Sequence, residues 1–261
     1  MSALTISNLF SVANKTVVVS GGSRGIGYMI AEAFVSNGAK VYISSRKASV
    51  CDAAAEELSK LGACISIPAD LATSEGRLSF IEAIQEKEES IDVLVNNAGA
   101  AWGATFENQT EATYDKVLDI NVKSMFFVTQ GLLPLLKKAA SPEDPSRVIN
   151  IGSIDGLHIS KMDTIPYGVS KAAVHQMSKS LAVKLGGTNI TVNAIAPGPF
   201  ESKMTEAFLQ SPIRKSVEQS CPMKRIGYPA DMAGLVLFLS SKAGNYINGA
   251  VIPIDGGIHM N

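Results

Sequence analysis

The fold of this chain is decided by the run Thr16-Val-Val-Val-Ser20 and the glycine-rich turn that follows it, Gly21-Gly-Ser-Arg-Gly-Ile-Gly27. The first run is short and apolar, as a buried strand is, and helical spacing of apolar residues begins at Ile26. After a strand and before a helix, glycines permit a tight turn and a close approach of the backbone to a pyrophosphate. The stretch therefore predicts a dinucleotide site. A purely structural tight turn is the alternative, because the spacing departs from G-x-G-x-x-G.

Six further apolar runs recur along the chain and are predicted to be strands. Together with 16–20, they are 41–44, 64–68, 92–95, 147–151, 190–195 and 250–254. Longer stretches with helical spacing lie between them, and this alternation predicts parallel pairing with right-handed crossovers. We expect an α/β fold: a Rossmann-type doubly wound sheet of about seven mostly parallel strands, with helices on both faces. Ligands of such sheets bind at the carboxyl ends of the strands.

Length and charge narrow the classes of protein to which the chain can belong. Its 261 residues are 46% hydrophobic and 18% charged, which is typical of a globular protein, and we expect one catalytic domain over 1–261. The net charge of −1 and the lack of a basic block predict no nucleic-acid partner.

Cysteine usage and the N-terminal segment predict a cytoplasmic protein. Cys51, Cys64 and Cys221 form no CxxC pattern, which argues against a disulfide framework and against a zinc or other metal site. The first 14 residues do not resemble a signal peptide, and no apolar run approaches the roughly 20 residues that span a bilayer. We expect no association with a membrane.

The end of the second predicted strand indicates which dinucleotide binds. An acidic residue there would hydrogen-bond the 2′-hydroxyl of NAD, whereas this chain has Ser45 and Arg46. An arginine can pair with the 2′-phosphate of NADP, and Arg24 in the glycine turn can reach the same group. These residues predict NADP(H) as the cofactor. The alternative is that both arginines are solvated surface charges.

Tyr167 and Lys171 are the candidate acid/base pair. Reduction of a carbonyl by a nicotinamide leaves an oxyanion that must be protonated, and a tyrosine with a pKa near 10 is poorly matched to that task. Four residues apart on a helix, the two side chains share a face, and the lysine charge is expected to lower the tyrosine pKa. A tyrosine followed four residues later by a lysine also arises by chance about 0.4 times in a chain of this composition. The pair alone is therefore weak evidence for catalysis, and other motifs must support it.

The order of motifs along the chain resembles the short-chain dehydrogenase/reductase superfamily over nearly its whole length, and the closest subgroup resembles the β-ketoacyl reductases. Besides Asn121, Ser153 and Tyr167-Gly-Val-Ser-Lys171, the resemblance is carried by the glycine turn, Asp70-Leu71, Asn96-Asn97-Ala98-Gly99, Pro197-Gly198, Gly227-Tyr-Pro-Ala-Asp231, Asn248-Gly249 and Ile254-Asp-Gly-Gly257.

The resemblance implies a role for each matched residue. Tyr167 would be the general acid, with Lys171 beside it, while Ser153, at the close of the fifth strand, would orient and polarise the carbonyl. Asn121 would hold a water joined to Lys171 in a proton relay. The implied cofactor contacts are Gly21, Ser23, Arg24, Gly25, Ile26, Gly27, Ser45, Arg46, Asp70, Leu71, Asn97, Ala98, Gly99, Tyr167, Lys171, Pro197, Gly198, Phe200 and Ser202.

An apolar group that flanks these residues in sequence is expected to form the substrate wall, although such residues are as often plain core. The group is Trp102, Leu157, His158, Met162, Phe200, Met204 and Phe208. We assign no second acid/base role to Asp155 and His158, because the tyrosine and lysine already supply the proton.

The resemblance implies an NADPH-dependent oxidoreductase that reduces a ketone, such as a β-ketoacyl or other hydrophobic carbonyl compound, to a secondary alcohol. Two alternatives remain: a redox-neutral isomerase, dehydratase or cyclase on the same fold, and a non-catalytic NADP-binding sensor. The apolar stretches 117–136 and 169–185 resemble helices that pair between subunits in this family, so a homotetramer or homodimer is expected.

Overall fold

The computed structural model describes residues 4–160, 162–201 and 213–260. These residues contain seven strands in one sheet: β1 Thr16–Val19, β2 Lys40–Ile43, β3 Cys64–Ser66, β4 Val93–Asn96, β5 Ser146–Ile151, β6 Ile190–Pro197 and β7 Val251–Ile254. The strand order is β3-β2-β1-β4-β5-β6-β7, and every neighbouring pair is parallel. The predicted Rossmann-type doubly wound sheet is confirmed.

Helices connect the strands and cover both faces of the sheet. They are α1 Ile6–Leu9, α2 Gly25–Ser36, α3 Ala48–Ser59, α4 Ser74–Gln85, α5 Glu111–Leu118, α6 Ser124–Ala139, α7 Ile165–Leu185, α8 Ile213–Ser220 and α9 Pro229–Ser240. Short 3₁₀ turns lie at Phe106–Asn108, Ile154–Gly156, Gly186–Thr188, Lys242–Gly244 and Ile258–Met260. In the described ranges, no helix is long and apolar enough to cross a membrane.

The alternating direction of side chains along the strands divides the core into two layers, one on each face of the sheet. Val17 and Val19 of β1 pack in one cluster with Phe34 of α2, and this cluster also contains α9. Val18 points to the opposite face and packs in a second cluster with Phe80 of α4, together with α6. Because successive side chains of a strand face opposite ways, three consecutive valines supply both layers. The apolar run 16–20 is thus explained by burial on two faces.

The direction of the strand order reverses between β1 and β4, and this reversal places the candidate site. On either side of such a switch point, the crossover helices lie on opposite faces, so the loops leaving β1 and β4 diverge and open a crevice. The loop leaving β5 lies next to them at the same edge of the sheet.

Two predicted positions differ in their local structure. Ser153 lies two residues beyond β5 instead of closing it, because its hydroxyl accepts a hydrogen bond from the Asp155 amide at 3.2 Å and begins a 3₁₀ turn. Asn121 lies in a π-helical turn, Asp119–Lys123, between α5 and α6 and not inside a regular helix. Such turns are frequent at functional sites.

Candidate active site

The turn between β1 and α2 has the backbone form that a bound pyrophosphate requires. Gly21 and Gly25 have φ of +69° and +55°, in the left-handed region that favours glycine. A Cβ at Gly27 would overlap the Gly21 carbonyl oxygen and the Asn97 side chain. Among the residues that the structure describes, no side chain caps the N-terminus of α2, which leaves its first amides available to a phosphate. These residues fit the phosphates of NADP.

Ser20 and Asn97 fasten this turn to the end of β4. The buried Ser20 hydroxyl accepts hydrogen bonds from the amides of Asn97 and Ala98, each at 3.0 Å. In return, Asn97 Nδ2 donates to the carbonyl oxygens of Ser20 and Gly21 at 3.0 Å. The sequence predicted Asn97 and Ala98 but not Ser20. Its position as the last residue before the glycines was the available signal.

The adenosine side of the crevice contains the two predicted arginines. Arg46 follows β2 and is exposed, as is Arg24 in the turn, and neither forms an ion pair within the part of the chain that the structure describes. After β3, the Leu71 carbonyl oxygen accepts a hydrogen bond at 3.0 Å from the buried guanidinium of Arg77, and Asp70 Oδ1 accepts the amide of Ala72 at 3.1 Å. The guanidinium thus fixes the loop after β3.

The end of β6 carries Pro197 and Gly198, two of the cofactor contacts that the resemblance implies. Gly198 donates its amide to the Ile254 carbonyl oxygen at 3.0 Å. The expectation that Phe200 lines the substrate wall is wrong: its side chain is 1% exposed, and a Cβ at Gly227 would overlap its ring. Phe200 is a core residue, since it packs in the cluster that also contains α2 and α9. Ser202, Met204 and Phe208 lie outside the described residues.

The end of β5 and helix α7 bring the candidate catalytic residues together. Lys171 Nζ donates to the carbonyl oxygen of Ile151, the last residue of β5, at 2.8 Å. The same nitrogen lies 5.5 Å from the centroid of the Tyr167 ring. Ser153 is buried, and its side chain is close enough to Tyr167 to lower the pKa of the tyrosine. The three side chains therefore form one cluster beside the crevice.

Asn121 joins the loop after β4 to α7. Its Oδ1 accepts the Ala100 amide at 2.8 Å, and its Nδ2 donates to the Ala100 carbonyl oxygen at 2.9 Å and to Ser170 Oγ at 2.8 Å. Both side-chain N–H groups are therefore used within the protein, and the role of holding a water joined to Lys171 stays a prediction. Gly99 lies beside this contact, since a Cβ there would approach Asn121 Oδ1 to 3.0 Å.

The electrostatics of the pair differ from the expectation. Burial raises the pKa of Tyr167 to about 12, and the hydrogen bond with Ser153 lowers it less. Burial also lowers the pKa of Lys171 to about 8, while the nearby charge of Asp155 raises it. The predicted lowering of the Tyr167 pKa is therefore wrong, because loss of solvation disfavours the phenolate more than its neighbours favour it. Tyr167 is protonated at neutral pH.

The mouth of the crevice is formed where the loops after β4 and β5 meet. The Ala104 amide donates to the Asp163 carbonyl oxygen at 2.9 Å. Of the predicted wall residues, Trp102, Leu157 and Met162 are exposed on these loops, and they are joined by others that the sequence analysis missed, namely Phe106, Ile159 and Ile165. His158 Nε2 lies 3.4 Å from Asp155 Oδ1. Exposed large apolar side chains at a crevice favour an apolar ligand.

Comparisons with known proteins agree with this geometry. A family model described as enoyl-(acyl carrier protein) reductase matches residues 21–259. The rhamnolipids biosynthesis 3-oxoacyl-(acyl-carrier-protein) reductase of Pseudomonas aeruginosa is 46% identical over 252 residues, covering 96% of this chain and 98% of that protein. The 3-oxoacyl-(acyl-carrier-protein) reductase MabA of Mycobacterium bovis is 34% identical over 247 residues, covering 95% and 94%. The solved Pseudomonas aeruginosa RhlG/NADP active-site complex has a TM-score of 0.94 at 46% identity and covers 96% of this chain and 98% of that one.

The hydrogen bonds that the Ser20 hydroxyl accepts from the amides of Asn97 and Ala98 predict that substitution of Ser20 lowers the affinity for the cofactor. In Ser20→Ala, the amides of Asn97 and Ala98 lose their acceptor, which costs about 1–3 kcal/mol when such groups are buried. We expect the dissociation constant of NADPH, measured by fluorescence titration, to rise by roughly tenfold or more. Ser180→Ala, which removes an exposed hydroxyl bonded to its own helix, is the control and should bind normally. Unchanged NADPH affinity in Ser20→Ala would show that these hydrogen bonds do not determine the geometry of the cofactor site.

Proposed function

Because this chain belongs to the short-chain dehydrogenase/reductase family, we propose that it uses NADPH to reduce a ketone to a secondary alcohol, with Tyr167 as the general acid. The observation that carries the proposal is the cluster of Ser153, Tyr167 and Lys171 beside a glycine turn that fits a dinucleotide. Both relatives named above are reductases of 3-oxoacyl compounds. That chemistry is a ketone reduction.

Ser153 and Tyr167 would hold the carbonyl oxygen of the substrate. NADPH supplies a hydride to the carbonyl carbon when it is bound, and negative charge develops on the oxygen. Hydrogen bonds from preorganised donors stabilise such charge in a site from which water is excluded. Tyr167, which burial keeps protonated, then donates its phenolic proton to the alkoxide. The alkoxide accepts it readily because it is a stronger base than the phenolate left behind.

Lys171 would stabilise the phenolate that this proton transfer produces. Its ammonium lies against the Tyr167 ring and is fixed by the bond to the Ile151 carbonyl oxygen. A pKa of about 8 leaves Lys171 largely charged at neutral pH, and the opposite charge would favour the phenolate form. Asn121 would act by holding Ala100 and Ser170 in place around this ammonium. The remaining matched contacts would bind NADP as the resemblance implies.

The exposed rim of the crevice supports a hydrophobic carbonyl substrate, such as a β-ketoacyl compound. Trp102, Phe106, Ile159 and Met162 present apolar surface on the two loops next to Tyr167. An acyl chain laid on this surface would gain about 25 cal/mol for each Å² of apolar area removed from water. Redox-neutral chemistry and cofactor sensing, the two alternatives, are not favoured by the named reductases among the relatives.

We further propose that residues 1–261 act as one catalytic domain, that the protein is cytoplasmic, and that it assembles as a homotetramer or homodimer. Assembly is supported by the outer face of α6, where Phe126 and Phe127 are 40% and 42% exposed and pack edge to face at 5.2 Å. Val169 and Val183 of α7 are also exposed. Two large aromatic rings side by side on a helix surface are typical of an interface core.

Removal of the Tyr167 hydroxyl tests the proposed acid. We expect Tyr167→Phe to lower kcat by roughly 100- to 10,000-fold, the range that general acid–base catalysis supplies. NADPH affinity should change little, since the turn and the 2′-phosphate residues remain. The measurement is NADPH oxidation against a panel of ketones, with the fully exposed Tyr246→Phe as the control. Retention of wild-type kcat by Tyr167→Phe would overturn the assignment.

Charge reversal at Arg46 tests the cofactor preference. In Arg46→Asp, a charge-assisted hydrogen bond to the 2′-phosphate is replaced by repulsion, so we expect NADPH to bind roughly 10- to 100-fold more weakly. NADH lacks that phosphate and should bind almost as before. Titration of both cofactors, with the exposed Lys87→Asp as a charge-matched control, makes the comparison. Equal weakening of NADPH and NADH would refute the 2′-phosphate assignment.

Light scattering tests the proposed assembly. We expect the wild-type protein to have the mass of a tetramer or a dimer, and the double variant Phe126→Asp/Phe127→Asp to lose at least one of its interfaces, because charges in an interface core are strongly disfavoured. Leu78→Asp changes an exposed apolar residue on α4 instead and should keep the wild-type mass. A monomeric wild-type protein would contradict the proposal.

A further inference from the structure

His175 occupies a position directly behind the candidate catalytic residues. It lies on α7, four residues after Lys171 and eight after Tyr167, so the three side chains follow one another along the same face of the helix. The histidine is only 4% exposed. The proposed reaction gives this histidine no part, although it lies one helical turn from Lys171.

The ring of His175 is packed against two glycines that flank the Ser153 turn. A Cβ at Gly152 would overlap His175 Nε2 and approach Cδ2 to 2.7 Å. A Cβ at Gly156 would approach His175 Cε1 to 2.7 Å and also meet the backbone of α7 at Lys171 and Ala172. Since both glycines make room for the ring and Ser153 lies between them, the ring limits how closely this segment can approach α7.

The ring of His175 is neutral, and the backbone of Gly156 is the polar group that favours its charged form. Within the described residues, neither ring nitrogen has a partner that meets hydrogen-bond geometry. Burial lowers the pKa of His175 to about 4, and the backbone of Gly156 opposes this less, so the ring is neutral at physiological pH. A neutral buried ring contributes packing surface, and the two glycines that make room for this one are in contact with it. Its shape is then the property that the site uses.

We propose that His175 is a positioning residue for Ser153. The segment Gly152–Gly156 rests on the ring of His175, and this contact sets the Ser153 hydroxyl against Tyr167. Displacement of this surface moves Ser153 relative to Tyr167, whereas the cofactor turn lies on other strands and is unaffected. The inference rests on the proposed ketone reduction for its kinetic consequence. The contact itself is a packing property and stands apart from the reaction.

A double-mutant cycle between Gly152 and His175 tests the proposal. In Gly152→Ala, the new methyl collides with the ring and displaces Ser153, so we expect kcat to fall by roughly 100-fold, the cost of a misplacement of about 1 Å. His175→Ala leaves a space behind Ser153 and should lower kcat by roughly tenfold. In the double variant, the methyl enters the vacated space. Its kcat should exceed that of Gly152→Ala, although the Ile195 carbonyl oxygen, 3.2 Å from the added Cβ, prevents full recovery.

Two further readouts separate positioning from general damage. The dissociation constant of NADPH should stay within about twofold of wild type in all variants, and the melting temperature of the double variant should exceed that of Gly152→Ala. Gly187→Ala is the control, because a Cβ there meets nothing within 4 Å. A double variant no better than Gly152→Ala in both kcat and melting temperature would overturn the proposal, as would parallel losses of kcat and NADPH affinity.

The melting temperatures of the same four proteins also distinguish failure of this proposal from failure of the proposed ketone reduction. If the wild-type protein reduced no ketone, the proposed function would be refuted, while NADPH binding and melting temperatures could still be measured. Recovery of melting temperature in the double variant without any reductase activity would support the contact but overturn the positioning role in that reaction. Recovery of both melting temperature and kcat supports the whole proposal.

Discussion

The hydrogen bond from Lys171 Nζ to the Ile151 carbonyl oxygen joins the middle of α7 to the last residue of β5. An ammonium group is costly to bury, and this one is 3% exposed, so it needs a fixed polar partner at that depth. The carbonyl at the end of a parallel strand supplies one. With the lysine held there, its ammonium lies beside the ring of Tyr167, one helical turn earlier. We propose that the helix and the strand together define where a carbonyl substrate binds.

A second set of hydrogen bonds holds the other side of the crevice. Strands β1 and β4 end side by side at the reversal of strand order, and the Ser20 hydroxyl holds the two loops that leave them. The glycine turn and the cluster of Ser153, Tyr167 and Lys171 are thus attached to adjacent strand ends. We propose that the ends of β1 and β4 bind the cofactor and that the end of β5 positions the catalytic residues. A dinucleotide that spans these ends would place its reactive ring beside Tyr167.

The sequence correctly predicted the features that follow from the periodicity of apolar residues and the placement of glycines. Its predictions were wrong for features that depend on burial in the folded structure. The seven strands and the helical face shared by Tyr167 and Lys171 follow from local patterns, and the structure contains both. The direction of the Tyr167 pKa shift was mispredicted because its cause is the loss of water around the ring, which no spacing of residues reports. Phe200 was assigned to a wall although it packs on Gly227, a partner distant in sequence. Ser20 was missed because a serine at a strand end has many ordinary roles.

The central claim is that a hydride passes from NADPH to the carbonyl carbon of a ketone. Its most direct test uses NADPH that carries deuterium at the transferable position, a hydrophobic ketone, and mass spectrometry of the product. We expect a secondary alcohol with a single deuterium on its carbinol carbon, formed in equal amount to NADP. A product that contains no deuterium, or a ketone that is converted while NADPH remains unchanged, would contradict it.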